Sequence, residues 1–307
     1  SLRGDVHQID FYKNRKLQYL LFADSLIYLV DRNGNDVDGF PKTAESINTL
    51  VGTGIIDYDN NKNYRYLAVE RRGDISLYNK EGEVLEGWNP KKLSGPLLQT
   101  PFHVRIRGRD CFMAVETSGN IHLLNRKGES YEGFPVKIDG RFAGNVGLER
   151  GADFSQTLIS VMTEEGEFVK VNFDGRVVTQ KQFLRPSINT TFDLVHDALK
   201  TNFNIVRNNG RVLTFFDNQL NETFSVDYPN SRNVSVDFYN FRNGKEVYVL
   251  RDVDENIMRI VDKNGQFLTP VIPNNERVSI LFYQNRLEYE VFVNFANQMN
   301  IYVVKPL

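Results

Sequence analysis

One cysteine, one tryptophan and four histidines are spread through 307 residues, and each scarcity removes a class of explanation. With Cys111 alone no intrachain disulfide can form, which excludes a disulfide-stapled scaffold. Cys111 lies in the apolar run CFMAV and reads as a buried small hydrophobe rather than a reactive thiol. The histidines His7, His103, His122 and His196 show no metal-ligand spacing. No apolar run approaches the roughly 18 residues that cross a bilayer as a helix, so membrane insertion is not expected. Charge of one sign is missing too: 37 basic residues face 39 acidic ones, for a net of −2. A field that weak recruits neither nucleic acid nor anionic lipid by itself. Nucleophile elbow, phosphate loop, metalloprotease helix and dinucleotide fingerprint are all absent. The opening SLRGD carries no leader pattern and reads as a processed terminus, so a longer polypeptide is expected.

What is present is a phrase repeated along the whole chain. A β-rich run is followed by Asp or Asn, two polar residues and usually Gly. The copies are Asp31–Gly34, Asn79–Gly82, Asn125–Gly128, Asn172–Gly175, Asp217–Leu220 and Asp262–Gly265, and they advance by 48, 46, 47, 45 and 45 residues. A fixed period in this range marks stacked supersecondary units that cannot bury their faces alone. Each unit reads as strands rich in aromatic and β-branched residues, with Asn, Gly, Asp and Lys in the joints. In the first unit the runs are Val6–Tyr12, Leu17–Ala23 and Leu26–Val30, then a fourth run ending near Gly39-Phe40-Pro41. Asn33-Gly34 and Asn264-Gly265 predict type I′ hairpin turns.

Middle strands are apolar on both faces. Leu17, Tyr19 and Leu21 alternate with Leu20 and Phe22, so the sheet must be covered on both sides by its neighbours. Radial packing of small twisted sheets does this and leaves only short edges. The expected fold is therefore all-β: a seven-bladed β-propeller of four-stranded antiparallel blades in one domain. The blades fall at about 5–47, 52–98, 100–142, 144–187, 190–231, 233–275 and 277–307. The last holds three strands (Val278–Tyr283, Glu288–Asn294 and Ile301–Val304) and is incomplete. Six blades with a docked fragment is the alternative.

The closings GNDVDGFP (34–41), GESYEGFP (128–135) and GEVLEGWNP (82–90) resemble the repeat of secreted bacterial propellers of the PQQ-like, YVTN-like and integrin-type superfamilies. Exported or lipoprotein-anchored proteins of the Bacteroidota kind are the nearest fit. The resemblance implies a periplasmic or cell-surface location and a non-enzymatic binding or scaffolding role, with a protein or glycan as partner. The recurrent tryptophans of quinone-cofactor propellers and the Gly-His…Trp-Asp pairs of WD40 blades are missing.

Candidate site residues follow from position. His103, Arg105 and Arg107 alternate with Val104 and Ile106, so three cations share one face of a first strand and could converge on an anion in a channel. His7 lies on another first strand. Trp88 stands where the sister closings have Phe40 and Phe134; it fills a packing slot or, if exposed, anchors a glycan or protein. Asp31, Asn33, Asn35, Asp36 and Asp38 crowd one turn with oxygen ligands, a weak calcium candidate beside the plainer reading as hairpin chemistry; no other cofactor is expected. Asp10, Asp57, Asp193 and Asp237 recur 21 to 25 residues before a copy of the turn, placed to accept backbone N–H groups at tight turns. The rival to a binding module is a hydrolase or lyase whose carboxylates converge on the channel from different blades.

Overall fold

A computed structural model describes every residue except 1, 24, 45–49, 184–188, 199, 201, 229–232, 243, 275, 297 and 306–307. Among the described residues there is no helix, and the strands form seven antiparallel sheets in chain order. Sheet 1 is Leu2–Ile9, Gln18–Ala23, Leu26–Val30 and Lys42–Thr43. Sheet 2 is Leu50–Ile56, Arg65–Glu70 and Ile75–Tyr78, its fourth strand reduced to a single bridge between Ile75 and Lys91. Sheet 3 is Phe102–Ile106, Arg109–Val115, Asn120–Leu124 and Val136–Lys137; sheet 4 is Phe142–Glu149, Leu158–Thr163, Glu167–Asn172 and Val177–Gln182. Sheet 5 is Thr191–His196, Phe203–Asn208, Val212–Phe216 and Glu222–Asp227; sheet 6 is Val234–Asn240, Glu246–Asp252, Ile257–Asp262 and Ile272–Pro273. Sheet 7 has the three strands expected: Ser279–Tyr283, Glu288–Phe295 and Gln298–Val304. The expected blade boundaries at 47, 187, 231 and 275 lie outside the described residues.

The chain forms two compact units. The first comprises residues 1–142, 151–157 and 171–178; the second comprises 143–150, 158–170 and 179–307. In the first, sheets 1 and 2 pack face to face through Leu20, Phe22, Leu29, Tyr66 and Ala68. Sheets 2 and 3 do so through Leu67, Val69, Leu77, Phe112 and Ala114. In the second, Phe215, Phe224, Phe238 and Tyr248 join sheets 5 and 6, while Val249, Ile260, Val291 and Val293 join sheets 6 and 7. The middle strands are buried on both faces for this reason, Cys111 to Val115 throughout. Burial pushes the Cys111 thiol up to about 12, so it is an inert core group.

The repeated turn is one hydrogen-bonded device. Asp31 N donates to Asn35 O at 2.8 Å, Gly34 N to Asp31 O at 3.1 Å, and Asp31 Oδ1 accepts from Asn33 N and Asn35 N at 2.8 and 2.9 Å. Asn79, Asn125, Asn172, Asp217 and Asp262 repeat the side-chain bond to the backbone four residues on. The expected type I′ geometry is not formed: positive φ occurs at Gly34 (84°) but not at Asn33. The loop is a type I turn closed by a residue in the left-handed region, and the Asp side chain selects it by satisfying two amides that a two-residue hairpin lacks. In the worn fifth copy Leu220 takes that position with φ 73°.

The first strand of sheet 1, Leu2–Ile9, starts earlier than its β-rich run Val6–Tyr12 suggests, and Phe142–Glu149 (FAGNVGLE) was not legible as a strand at all. Glycine dilutes the pattern there because the backbones approach closely. Gly144 has φ 70°, and a Cβ on it would sit 2.5 Å from Asp193 Cα. The next amide, Asn145 N, donates to Asp193 Oδ1 at 2.8 Å. Sheets 1 and 2 repeat the clasp, Asp5 N donating to Thr53 Oγ1 at 3.0 Å beside Gly4. Gly144→Ala is expected to lose about 1 kcal/mol from the backbone conformation plus roughly 1–3 kcal/mol from overpacking. Gly34→Ala, with nothing within 4 Å of the added Cβ, is expected to lose only about 1 kcal/mol. Urea midpoints of the two variants check the difference, and equal losses would refute the clasp.

Candidate ligand-binding edge of sheets 3 and 4

The strand Phe102–Ile106 does put His103 and Arg105 on one face, while Arg107 lies beyond its end in the hairpin turn with φ 47°. The three cations do not form an anion site, because each is already engaged. His103 Nε2 lies 2.6 Å from Asp110 Oδ1. Arg105 Nη1 donates to Asp59 Oδ1 at 2.6 Å and to Tyr58 O at 2.7 Å. Arg107 Nε donates to Ala152 O at 3.2 Å, and its Nη2 lies 3.4 Å from Asp153 Oδ2. Arg126, from the third copy of the turn, ties the set together: Nε donates to Asp110 Oδ2 at 2.6 Å and Nη2 to Asp59 Oδ1 at 2.9 Å. Its guanidinium lies 4.3 Å from the centroid of the Tyr58 ring, which meets His103 edge-on at 5.1 Å. Hydrogen bonds from Arg105 and Arg126 hold the Asp59 carboxyl below its usual range. Burial lowers the His103 pKa, and the bond to Asp110 opposes the shift only partly. Half-exposed pairs of this kind contribute little stability and chiefly order the edge.

The remaining candidates are placed as follows. His7 Nε2 bonds Thr53 Oγ1 at 2.9 Å, a partner distinct from that of His103. Trp88 is fully buried, its ring centroid 4.9 Å from that of Phe112 at a tilt of 55°, with Nε1 donating to Arg126 O at 2.8 Å. It cannot anchor a ligand, since the packing slot takes the whole indole. The Asp31 carboxylate is occupied by turn amides, and among the described residues no group of three or more His, Cys, Asp or Glu could hold a metal. Asp10 and Asp57 are turn acceptors: Asn14 and Arg15 N–H bond Asp10, and Asn61 and Lys62 N–H bond Asp57. Asp193 and Asp237 depart from that expectation. Both lie within strands, Asp193 bound by Asn145 and Asp237 by Arg251 Nε at 2.9 Å. Burial pushes the Asp193 carboxyl above its usual range, and the charge of Asp237 adds to the rise.

An open cleft of about 600 Å³ lies beside this network, lined by Arg109, Tyr131, Glu132, Phe154, Asp174 and Arg176 among others. Its floor is a row of rings, Tyr131 to Phe154 at 5.4 Å and Phe154 to the buried Phe173 at 5.8 Å, both edge-to-face. The Arg109 guanidinium sits 5.5 Å from the Phe154 centroid. Neither Arg109 nor Arg176 has a carboxylate within salt-bridge distance among the described residues, although both are exposed. Arg109 completes the run Arg105-Ile106-Arg107-Gly108-Arg109. The arginine-every-second-residue pattern of Arg105, Arg107 and Arg109 is the sequence signal that could have shown it.

No family model and no curated protein sequence matches the chain. Among solved structures the chain is similar to BBS1N in complex with ARL6DN: 12% identity, TM-score 0.60, covering 100% of this chain and 92% of that one. It is similar to Sqt1 of Saccharomyces cerevisiae at 10% identity and TM-score 0.64, covering 94% of this chain and 81% of that one. It is also similar to the dihydro-heme d1 dehydrogenase NirN in complex with DHE at 9% identity and TM-score 0.59, covering 99% of this chain and 63% of that one. All three are β-propellers, and likeness at such identity speaks to the fold alone: this chain is an all-β, seven-sheet member of the β-propeller fold.

Proposed function

We propose that the chain is a non-enzymatic binding module that takes a protein partner on the edge where sheets 3 and 4 carry their turns. One observation carries this reading: two exposed arginines, Arg109 and Arg176, line a recess with an aromatic row and have no carboxylate within salt-bridge distance among the described residues, while Arg105, Arg107 and Arg126 are paired. Aromatic and arginine side chains in one partly desolvated recess are the usual energetic centre of a protein interface. BBS1N was solved with ARL6DN bound, which supports protein recognition by this fold, though NirN was solved with DHE, so fold by itself does not choose. A glycan would use the rings but leave both guanidinium groups with nothing charged to meet. The exported setting belongs to the same reading and rests on the Gly-Phe-Pro closings.

The test is a photo-crosslinking amino acid at the exposed Glu132, with the same group at Lys263 in the corresponding turn of sheet 6 as control, in cells of the source organism. A partner captured from position 132 only, and lost with Arg109→Glu plus Arg176→Glu, is the expected result. The same captured set from both positions would remove the reading.

A further inference from the structure

Resting on that reading, we propose that the segment recognised is a linear peptide carrying an acidic side chain next to an aromatic one, its carboxylate taken by Arg109 and Arg176. Three features of the cleft lead there. Arg109 and Arg176 stand outside the ion-pair network of Asp59, Asp110 and Asp153 that engages Arg105, Arg107 and Arg126, and Arg guanidinium matches a carboxylate in a two-pronged bond. Arg109 is held against the Phe154 ring, so binding a carboxylate costs it less side-chain freedom than a free arginine would lose. Tyr131 and Phe154 are half-buried and present ring surface for a neighbouring aromatic residue.

The same lining argues against a polyanion. Glu132 and Asp174 are exposed on the cleft beside the arginines, so a continuous row of phosphates meets repulsion where an isolated carboxylate does not. The chain's net charge of −2 adds no attraction for nucleic acid at longer range.

The experiment uses the full chain and a fluorescein-labelled peptide of repeating Gly-Ser-Glu-Phe units, read by anisotropy. Its Gln-for-Glu and Leu-for-Phe counterparts and a labelled oligothymidine are run beside it. At about 0.1 M salt the Glu-Phe peptide is expected to bind roughly 10-fold tighter than the Gln counterpart, in line with a charge-assisted bond. Arg109→Gln and Arg176→Gln should each remove most of that margin, whereas Arg72→Gln, on the opposite hairpin connection of sheet 2, should leave it unchanged. All are surface substitutions, and circular dichroism melting confirms the fold in each. Equal affinity for the Glu and Gln peptides overturns the proposal, as does oligothymidine binding tighter than the peptide. Crosslinking from position 132 with equal Glu and Gln binding would leave protein recognition standing and remove the acidic chemistry alone.

Discussion

Trp88→Ala is expected to lose about 3–5 kcal/mol of stability, the range for deleting a large buried aromatic side chain. The indole is fully buried among Ile56, Leu67, Leu77, Phe112 and Leu124, where two sheets of the first unit face each other. Its N–H donates to Arg126 O at 2.8 Å. The loss therefore combines a cavity, an unmade bond and a loosened turn that carries the Arg126 guanidinium. Trp88→Phe separates these effects. Phenylalanine already occupies the corresponding closings at Phe40 and Phe134, so the ring slot should accept it. The remaining cost is the missing hydrogen bond and a smaller void, about 1–2 kcal/mol. Urea unfolding read through tyrosine fluorescence measures both, since Trp88 is the sole tryptophan. A Trp88→Ala loss below about 1 kcal/mol would mean the slot is not part of the core.

The second large effect is at Glu116, a fully buried carboxylate at the end of the strand Arg109–Val115. Ser94 N and Oγ donate to Oε1 at 2.7 Å each, Asn120 Nδ2 and Ser118 Oγ donate to Oε2 at 2.7 and 3.0 Å, and His122 Nε2 approaches Oε1 at 3.1 Å. Burial works against the charge, but the donors of Asn120, Ser94 and Ser118 outweigh it and hold the carboxyl at about 2. Glu116→Gln turns one acceptor into a donor facing donors already present. The expected loss is about 2–4 kcal/mol, that of breaking a buried charged network.

The pH dependence has a definite sign. A folded-state pKa below the unfolded one means that the unfolded chain binds the extra proton, so stability is complete above the unfolded value and drains as pH falls. For Glu116 the window runs from 4.5 down to about 2. Over that interval about 3 kcal/mol is at stake. His122 adds a limb beginning below 6.5, because burial lowers its pKa and Glu116 opposes this only in part, with Lys91 adding to the lowering. Urea midpoints across pH should fall in two stages, and Glu116→Gln should shrink the lower one, to which Asp10, Asp31, Asp59, Asp153 and Asp217 also contribute because their folded-state pKa values are lowered too. An unchanged lower stage in the variant would assign it to other carboxylates.

How much of this was legible in advance depended on which interactions are local. The turn phrase, the third strands and the three-stranded last sheet were readable because their causes lie within a few residues. An Asp or Asn side chain bonds the amides just after it, and a third strand such as Leu26–Val30 follows at a fixed distance. The repeat also predicted apolar faces on both sides of each middle strand, and the packing between consecutive sheets is the reason. First strands were harder. Gly144 and Gly4 are there for a neighbour 49 residues away, and a local pattern sees only a weakened strand.

The candidate site shows the same division. Alternation correctly grouped His103 with Arg105, yet the carboxylates that neutralise them come from Asp59 and Asp110, one on another sheet and one on the next strand. Which arginines stay free is therefore a question of tertiary partners, and it selects Arg109 and Arg176 over the three cations that alternation favoured. By itself the amino-acid sequence determined the repeat, the all-β class and the chemistry of each turn, because backbone hydrogen bonding and hydrophobic periodicity act over short stretches. Only the tertiary structure decided which charges are spent, which rings are buried and where a cleft opens, because those depend on pairs of residues that the period brings together from separate units.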